Sequence, residues 1–278
     1  MRTINCKGTL IDLSSPTVMG IINVTPDSFY DGGQTTNIED ITSQASKMLL
    51  AGAQFLDIGG YSSRPNAKDI SEAEELERVI PAIEAIVHKF PEAIISIDTF
   101  RSAVAKKAID AGAAIINDIS AGLLDSEMLQ TVARLQVPYI MMHMKGTPQT
   151  MKELCSYDNI TKEVIFYFSE RVAEARKLGI NDIIIDPGFG FAKTAQQSFE
   201  LLNNLELLSA LDVPILTGVS RKSMIYKTLN VSAKDALNGT SALHMVALEK
   251  GTSILRVHDV AEAAECITLF KHLKKTAF

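Results

Sequence analysis

The chain has 278 residues, room for one large domain or two small ones. Its 27 Lys and Arg against 33 Asp and Glu give a formal net charge of −6, with 46% hydrophobic and 22% charged residues. Such a chain buries enough apolar surface to exclude bulk disorder. Its acidic balance excludes the basic footprint of a nucleic-acid binder, although a local cluster of Arg and Lys could still gather a small anion. Cys6, Cys155 and Cys266 are far apart and show no Cys-x-x-Cys spacing, so neither a disulfide framework nor a structural zinc site is expected. Reduced thiols in a cytoplasmic protein are the expectation. The opening MRTINCKGTLIDL lacks the apolar core of a secretory signal, and no apolar run is long enough for a membrane span.

In chain order, residues 3–13 read as a short hairpin. Apolar runs at 17–23, 54–60, 94–99, 114–119, 138–143, 182–187, 213–219 and 252–258 then predict strands. These runs are rich in Ile, Val and Leu and do not alternate with polar residues, as expected of strands buried on both faces of a parallel sheet. Helical periodicity fills the segments between and after them: 37–51, 71–89, 101–111, 125–135, 158–178, 196–209, 232–249 and 259–275. Segment 71–89 opens with Ser71 and Glu74 in a capping-box pattern, and Pro81 predicts a kink or a break inside it. Gly52, Gly112 and Gly179 sit where helices end. Strict alternation of eight strands and eight helices predicts a single-domain (β/α)8 TIM barrel over 1–278, its N-terminal hairpin covering the bottom. An open doubly wound sheet would carry a Gly-rich fingerprint after its first strand, and none is present. Connections 24–36 and 60–70 are long enough to act as lids, and a third polar stretch runs over 144–157.

In such a barrel the active site lies at the C-terminal ends of the strands. Nearly every predicted strand ends there in a polar residue: Asn23, Asp57, Asp98, Asn117, His143, Asp186, Ser220–Arg221–Lys222, and Arg256 with His258. Taken singly, Asp57 and Asn117 read as caps of the following turn or helix. Asp98 and Asp186 end ISID and IIID, where an unpaired carboxylate would be costly, so each needs a partner or a ligand. His88, His244 and His272 lie on helical segments and read as surface or helix-face residues. Two subsites emerge. Asp98, Asn117, Asp186 and Lys222 suit a flat heterocycle with donors on one edge and acceptors on another. Arg64, Arg256, His258 and the Asn23 amide suit a phosphate or diphosphate, with Mg2+ arriving on it.

These residues fall within seven ordered motifs: NVTPDSFYDGG at 23–33, DIGGYSSRP at 57–65, ISIDT at 95–99, INDIS at 116–120, DPGFGFAK at 186–193, GVSRKSMI at 218–225 and RVHD at 256–259. With them the whole chain resembles the dihydropteroate synthases of bacterial folate biosynthesis, a family of pterin-binding barrels. The resemblance implies a transferase that condenses 6-hydroxymethyl-7,8-dihydropterin diphosphate with para-aminobenzoate, releasing 7,8-dihydropteroate and diphosphate. It implies that Asp98, Asn117, Met142, Asp186, Phe191, Lys222 and Arg256 hold the pterin. Asn23, Arg64, Arg256 and His258 would bind diphosphate, with Asn23 contacting Mg2+. Phe29, Ser63, Pro65, Phe191, Ser220 and Arg221 would receive para-aminobenzoate, and with it sulfonamide mimics. Asp31, Arg64, Lys222, Arg256 and His258 would carry the chemistry, Asp31 by stabilising a methylene cation. A homodimer is also implied. The chain departs from the family pattern at Tyr61 (usually Glu), Ser63 (usually Thr) and Ala192 (usually Gly).

Three other readings meet particular residues. A methyltransferase moving a methyl group from methyltetrahydrofolate to a corrinoid would share Asp98, Asn117 and Asp186, but has no need of the first-loop motif, SRP, SRKS or RVHD. A Schiff-base aldolase would need a desolvated Lys222, and Arg221 adjoins it. A non-catalytic paralogue would be expected to lack some acting positions, and all are filled.

Overall fold

A computed structural model describes residues 3–24, 38–62 and 69–275. A two-stranded antiparallel hairpin, β1 (Thr3–Cys6) and β2 (Thr9–Asp12), opens it. Lys7 and Gly8 between them both have positive φ, the turn that matches the right-handed twist of a hairpin. Eight parallel strands follow: β3 (Thr17–Asn23), β4 (Phe55–Gly59), β5 (Ile94–Asp98), β6 (Ile115–Asp118), β7 (Tyr139–Met142), β8 (Ile183–Asp186), β9 (Leu216–Thr217) and β10 (Ile254–Val257). Their order around the sheet is β8-β7-β6-β5-β4-β3-β10-β9, and a parallel bridge from Ile185 to Ile215 joins the two ends into a barrel. Helices α1 (Ile38–Leu50), α2 (Glu72–Lys89), α3 (Ser102–Asp110), α4 (Met128–Leu135), α5 (Ile160–Lys177), α6 (Ala195–Asn203), α7 (Ser223–Thr228), α8 (Leu237–Glu249) and α9 (Val260–Lys275) surround it. No described helix is long and apolar enough to cross a membrane.

Period-two alternation sorts the strand residues into layers. The lowest inward layer is Met19, Phe55, Ile115, Ile140, Ile184, Leu216 and Ile254, packed as one apolar cluster with Ile4, Cys6 and Leu13 of the hairpin segment. The hairpin therefore plugs the bottom of the barrel. Two residues further along the strands the inward positions turn polar: Asp57, Ser96, Asn117, Asp186 and Arg256. Registers Asp57↔Ser96 and Asp98↔Asn117 bring them side by side. The outward strand residues pack on the helices in the larger apolar shell.

Several predicted helices shift. Pro81 does not break α2, which runs unbroken over 72–89. Pro81 and Glu77, the residue whose carbonyl loses its donor, both face solvent, so water can take the freed acceptor. Ser71 does cap the helix, accepting from the Glu74 amide at 3.2 Å. The segment predicted over 196–209 is α6 followed by a 3-10 turn over Leu205–Leu211. A short helix, α7, stands where sequence periodicity was too brief to register.

Candidate active site

Arg256 on β10 is the hub of the barrel mouth. Its Nε donates to Asp57 Oδ2 at 2.6 Å and its Nη2 to Asp98 Oδ2 at 2.6 Å. Asn117 Nδ2 donates to the same Asp57 oxygen at 3.0 Å. Among the described residues, then, neither the Asp57 nor the Asn117 side chain caps a turn or helix. Asp57 is fully buried and ion-paired across the barrel, which corrects the capping expectation. Its other oxygen, and the neighbouring Ser96 Oγ, are buried with no hydrogen-bond partner among the described residues. Burial pushes the Asp98 carboxyl up to about 7 against the pull of Arg256, with Asp57 adding to the rise. Burial also opposes the Arg256 charge, but Asp57 and Asp98 outweigh it and hold the guanidinium above its usual range.

The second group gathers around Gly218. A methyl group built there would lie 3.9 Å from Asp186 Oδ2, 4.0 Å from Lys222 Nζ and 4.0 Å from Arg256 Cβ. Glycine leaves that space open to a ligand reaching all three. Asp186 Oδ1 already accepts from the Gly188 amide at 2.8 Å. Burial raises the Asp186 carboxyl, with Lys222 the chief opposing charge. Burial pushes the Lys222 ammonium down to about 8, against Asp186. Lys222 donates to the Phe189 carbonyl and lies 4.8 Å from the centre of the Phe191 ring. Met142 pairs with Asp186 across β7 and β8 and is buried beside Ile119 and Met144.

Two turns frame these groups. Ser220 Oγ accepts from the His258 amide at 3.2 Å and lies 3.1 Å from His258 Nδ1, so the aryl and diphosphate candidates share a contact. Arg221, expected against para-aminobenzoate, grips Asp259 with Nε and Nη2 at 2.7 and 2.8 Å. Its backbone has a left-handed φ of 52°, and those bonds hold the turn that presents Ser220 and Lys222. Asn23 ends β3 opposite Gly59, which in turn pairs with Asp98. Phe29, Asp31, Ser63, Arg64 and Pro65 lie outside the described residues.

The departures from the family pattern acquire contacts. The Tyr61 hydroxyl accepts from Gln149 Nε2 at 2.9 Å, and its ring stands edge-on to Phe100 at 5.1 Å. Ala192 has a φ of 48°, a conformation glycine adopts without strain. His244 is not a surface residue: it is buried on α8 with neither ring nitrogen bonded among the described residues, while His88 and His272 are exposed. Lys193, to which the sequence assigned no role, is buried against His143. Its signal was a lysine directly after the apolar, glycine-rich PGFGFA of 187–192.

An eight-stranded parallel barrel whose mouth holds carboxylates, an amide and two cations defines a binder of a polar heterocycle. The model of the pterin binding enzymes matches residues 19–258. Among curated relatives, the dihydropteroate synthase of Escherichia coli K12 is 44% identical over 263 residues, covering 94% of this chain and 93% of that one. The Xanthomonas albilineans dihydropteroate synthase solved with 4-aminobenzoic acid superposes with a TM-score of 0.92 at 38% identity, covering 99% of both chains. The same organism's enzyme in complex with 7,8-dihydropteroate gives 0.89 at 37% identity, covering 99% of this chain and 100% of that one. The chain belongs to the dihydropteroate synthase family of pterin-binding enzymes, and it is a transferase.

Proposed function

We propose that the chain joins 6-hydroxymethyl-7,8-dihydropterin diphosphate to 4-aminobenzoate, releasing 7,8-dihydropteroate and diphosphate. The observation that carries this reading is the convergence of Asp186 and Lys222 on the space above Gly218. A carboxylate and an ammonium there match the N3–H and 2-amino donors of a pterin edge and the acceptors O4 and N5 of the other edge. Asp98, bonded directly to Arg256, and Asn117, tied to Arg256 through Asp57, would close the far side of the ring. Met142 and Phe191 would supply apolar contact.

The displacement is dissociative. The bond from the pterin methylene carbon to diphosphate oxygen breaks, and its electron pair leaves with diphosphate. The lone pair of the 4-aminobenzoate nitrogen then forms the new C–N bond, and the amine proton passes to solvent. Arg64, Arg256 and His258 would stabilise the departing charge, and Asp31 the methylene cation. Phe29, Ser63, Pro65, Phe191 and Ser220 would hold the aryl amine and its sulfonamide mimics.

Among the described residues no cluster of three or more His, Cys, Asp or Glu could hold a metal ion. Asn23 offers one neutral oxygen, which fits an ion that arrives with diphosphate rather than one resident in the protein. When bound, Mg2+ supplies positive charge against the leaving group. Exposed Val246 on α8 and Leu269 on the adjoining α9 support a homodimer, and three unpaired thiols support a cytoplasmic setting.

Calorimetry with 6-hydroxymethyl-7,8-dihydropterin, which lacks diphosphate, tests the ring assignment. Asp186→Asn should weaken binding by about 1.5–3 kcal/mol, the worth of a charge-assisted bond in a buried site. Unchanged affinity would remove Asp186 from the ring pocket.

A further inference from the structure

Lys193 is buried, and among the described residues no carboxylate bonds it. Its Nζ lies 2.8 Å from His143 Nδ1, 3.0 Å from the Gly188 carbonyl, 3.0 Å from the Phe191 carbonyl and 3.3 Å from the His143 carbonyl. An ammonium has three donors, and those contacts occupy all of them. Every acceptor belongs either to the turn after β8 or to the end of β7. The ammonium is therefore a staple across the seam between these two elements.

What the staple holds is the ring pocket. Both elements it joins also bond Asp186: the His143 amide donates to the Asp186 carbonyl at 2.9 Å, and the Gly188 amide to Asp186 Oδ1 at 2.8 Å. Phe189 lies between the two stapled turn carbonyls, and its own carbonyl receives Lys222. Phe191, whose carbonyl is stapled, places its ring under the Lys222 ammonium. The seam is closely packed at Gly188. A Cβ on Gly188 would come within 2.2 Å of the His143 carbonyl oxygen.

We infer that Lys193 is a positioning residue of the transfer reaction: it fixes Asp186, the Phe189 carbonyl and the Phe191 ring in the arrangement that receives the heterocycle, without touching it. The inference rests on the assignment of Asp186 and Lys222 to the ring. Burial lowers the Lys193 ammonium far below its ordinary range, with Asp186 as the main opposing charge. His143 is pushed down to about 2 by burial and by Lys193, so its ring stays neutral and can accept. Losing the staple would free the turn and move an acceptor and a donor together, whereas the described diphosphate candidates are held elsewhere: Asn23 on β3, His258 beyond β10, and Arg256 on β10 by Asp57 and Asp98.

The test compares wild type, Lys193→Met and Lys193→Gln. Calorimetry reads the affinity of 6-hydroxymethyl-7,8-dihydropterin and, separately, of inorganic diphosphate with Mg2+. Lys193→Met should lose tenfold or more in ring affinity while diphosphate affinity stays within twofold. Lys193→Gln keeps two N–H donors for the carbonyls of Gly188 and Phe191 and should fall between the two. If Lys193→Met does not fold, a selective loss of threefold or more in Lys193→Gln decides in the same direction. Ring affinity equal to wild type, or parallel loss of both ligands, overturns the inference. A wild-type protein that fails to bind the dihydropterin at all would instead sink the ring assignment beneath it.

Discussion

Asp57, Asp98, Asn117 and Arg256 form one charge network at the barrel mouth, while Lys222 and Asn23, outside it, carry the expectations for pH and for metal. Lys222 is charged below about 8 and loses its proton above it. Affinity for the diphosphate-free dihydropterin should therefore hold up to about pH 8. It should fall roughly tenfold by pH 9.5, as the depressed ammonium deprotonates. In Lys222→Met the affinity should be weak and flat over the same range. Asn23 gives a second expectation. If its amide meets the diphosphate-bound ion, Asn23→Ala should raise the Mg2+ concentration for half-maximal turnover and leave dihydropterin affinity alone. If it only caps the following loop, the variant loses about 0.5–2 kcal/mol of stability and its Mg2+ curve superimposes on wild type. Asp57 marks where residue-level reading stops. It and Arg256 are 199 positions apart, and only barrel closure makes them partners. A strand-end aspartate read alone looks like a cap.

At the scale of elements, the turn from β8 to α6 does the most for the site. Its backbone supplies an amide to Asp186, a carbonyl to Lys222 and two carbonyls to Lys193. Gly188 makes it possible, with a φ of 67° and a neighbouring carbonyl inside Cβ range. Gly188→Ala should cost about 3 kcal/mol or more, since backbone strain and a steric clash add. Thermal melting and dihydropterin calorimetry should both register the change; a variant with wild-type melting and affinity would mean the turn is not rigid. The eight strands were legible because each lies in a short, largely apolar run, and the Ser71 cap because its pattern is local. Pro81 misled because the tolerance of a proline depends on which face it occupies. His244 misled because α8 is buried by α9 as well as by the barrel, a packing that helical periodicity does not report. The Lys193 staple was invisible because its acceptors are backbone carbonyls, which carry no sequence signature.

Over the whole molecule, stability and chemistry are divided between the two ends of one barrel. The bottom is a dry apolar layer sealed by the hairpin, with Ile4 and Leu13 packed on Phe55 and Ile140. The top carries buried carboxylates whose charges burial opposes, and that cost is offset elsewhere in the fold. The barrel class and the roll of strand-end residues could be read before any coordinates. The partnership of Arg256 with two aspartates, and the pairing of Arg221 with Asp259, could not, because both depend on the three-dimensional register of strands far apart in sequence. The measurement closest to the central claim is a turnover assay of the purified chain with 6-hydroxymethyl-7,8-dihydropterin diphosphate, 4-aminobenzoate and Mg2+, following diphosphate and 7,8-dihydropteroate together. The account predicts one diphosphate released per 7,8-dihydropteroate formed, with no product when either organic substrate is omitted and product formation lost in Asp186→Asn at sub-saturating pterin. Diphosphate released in clear excess over 7,8-dihydropteroate with both substrates present, or no product from a folded protein, would contradict it.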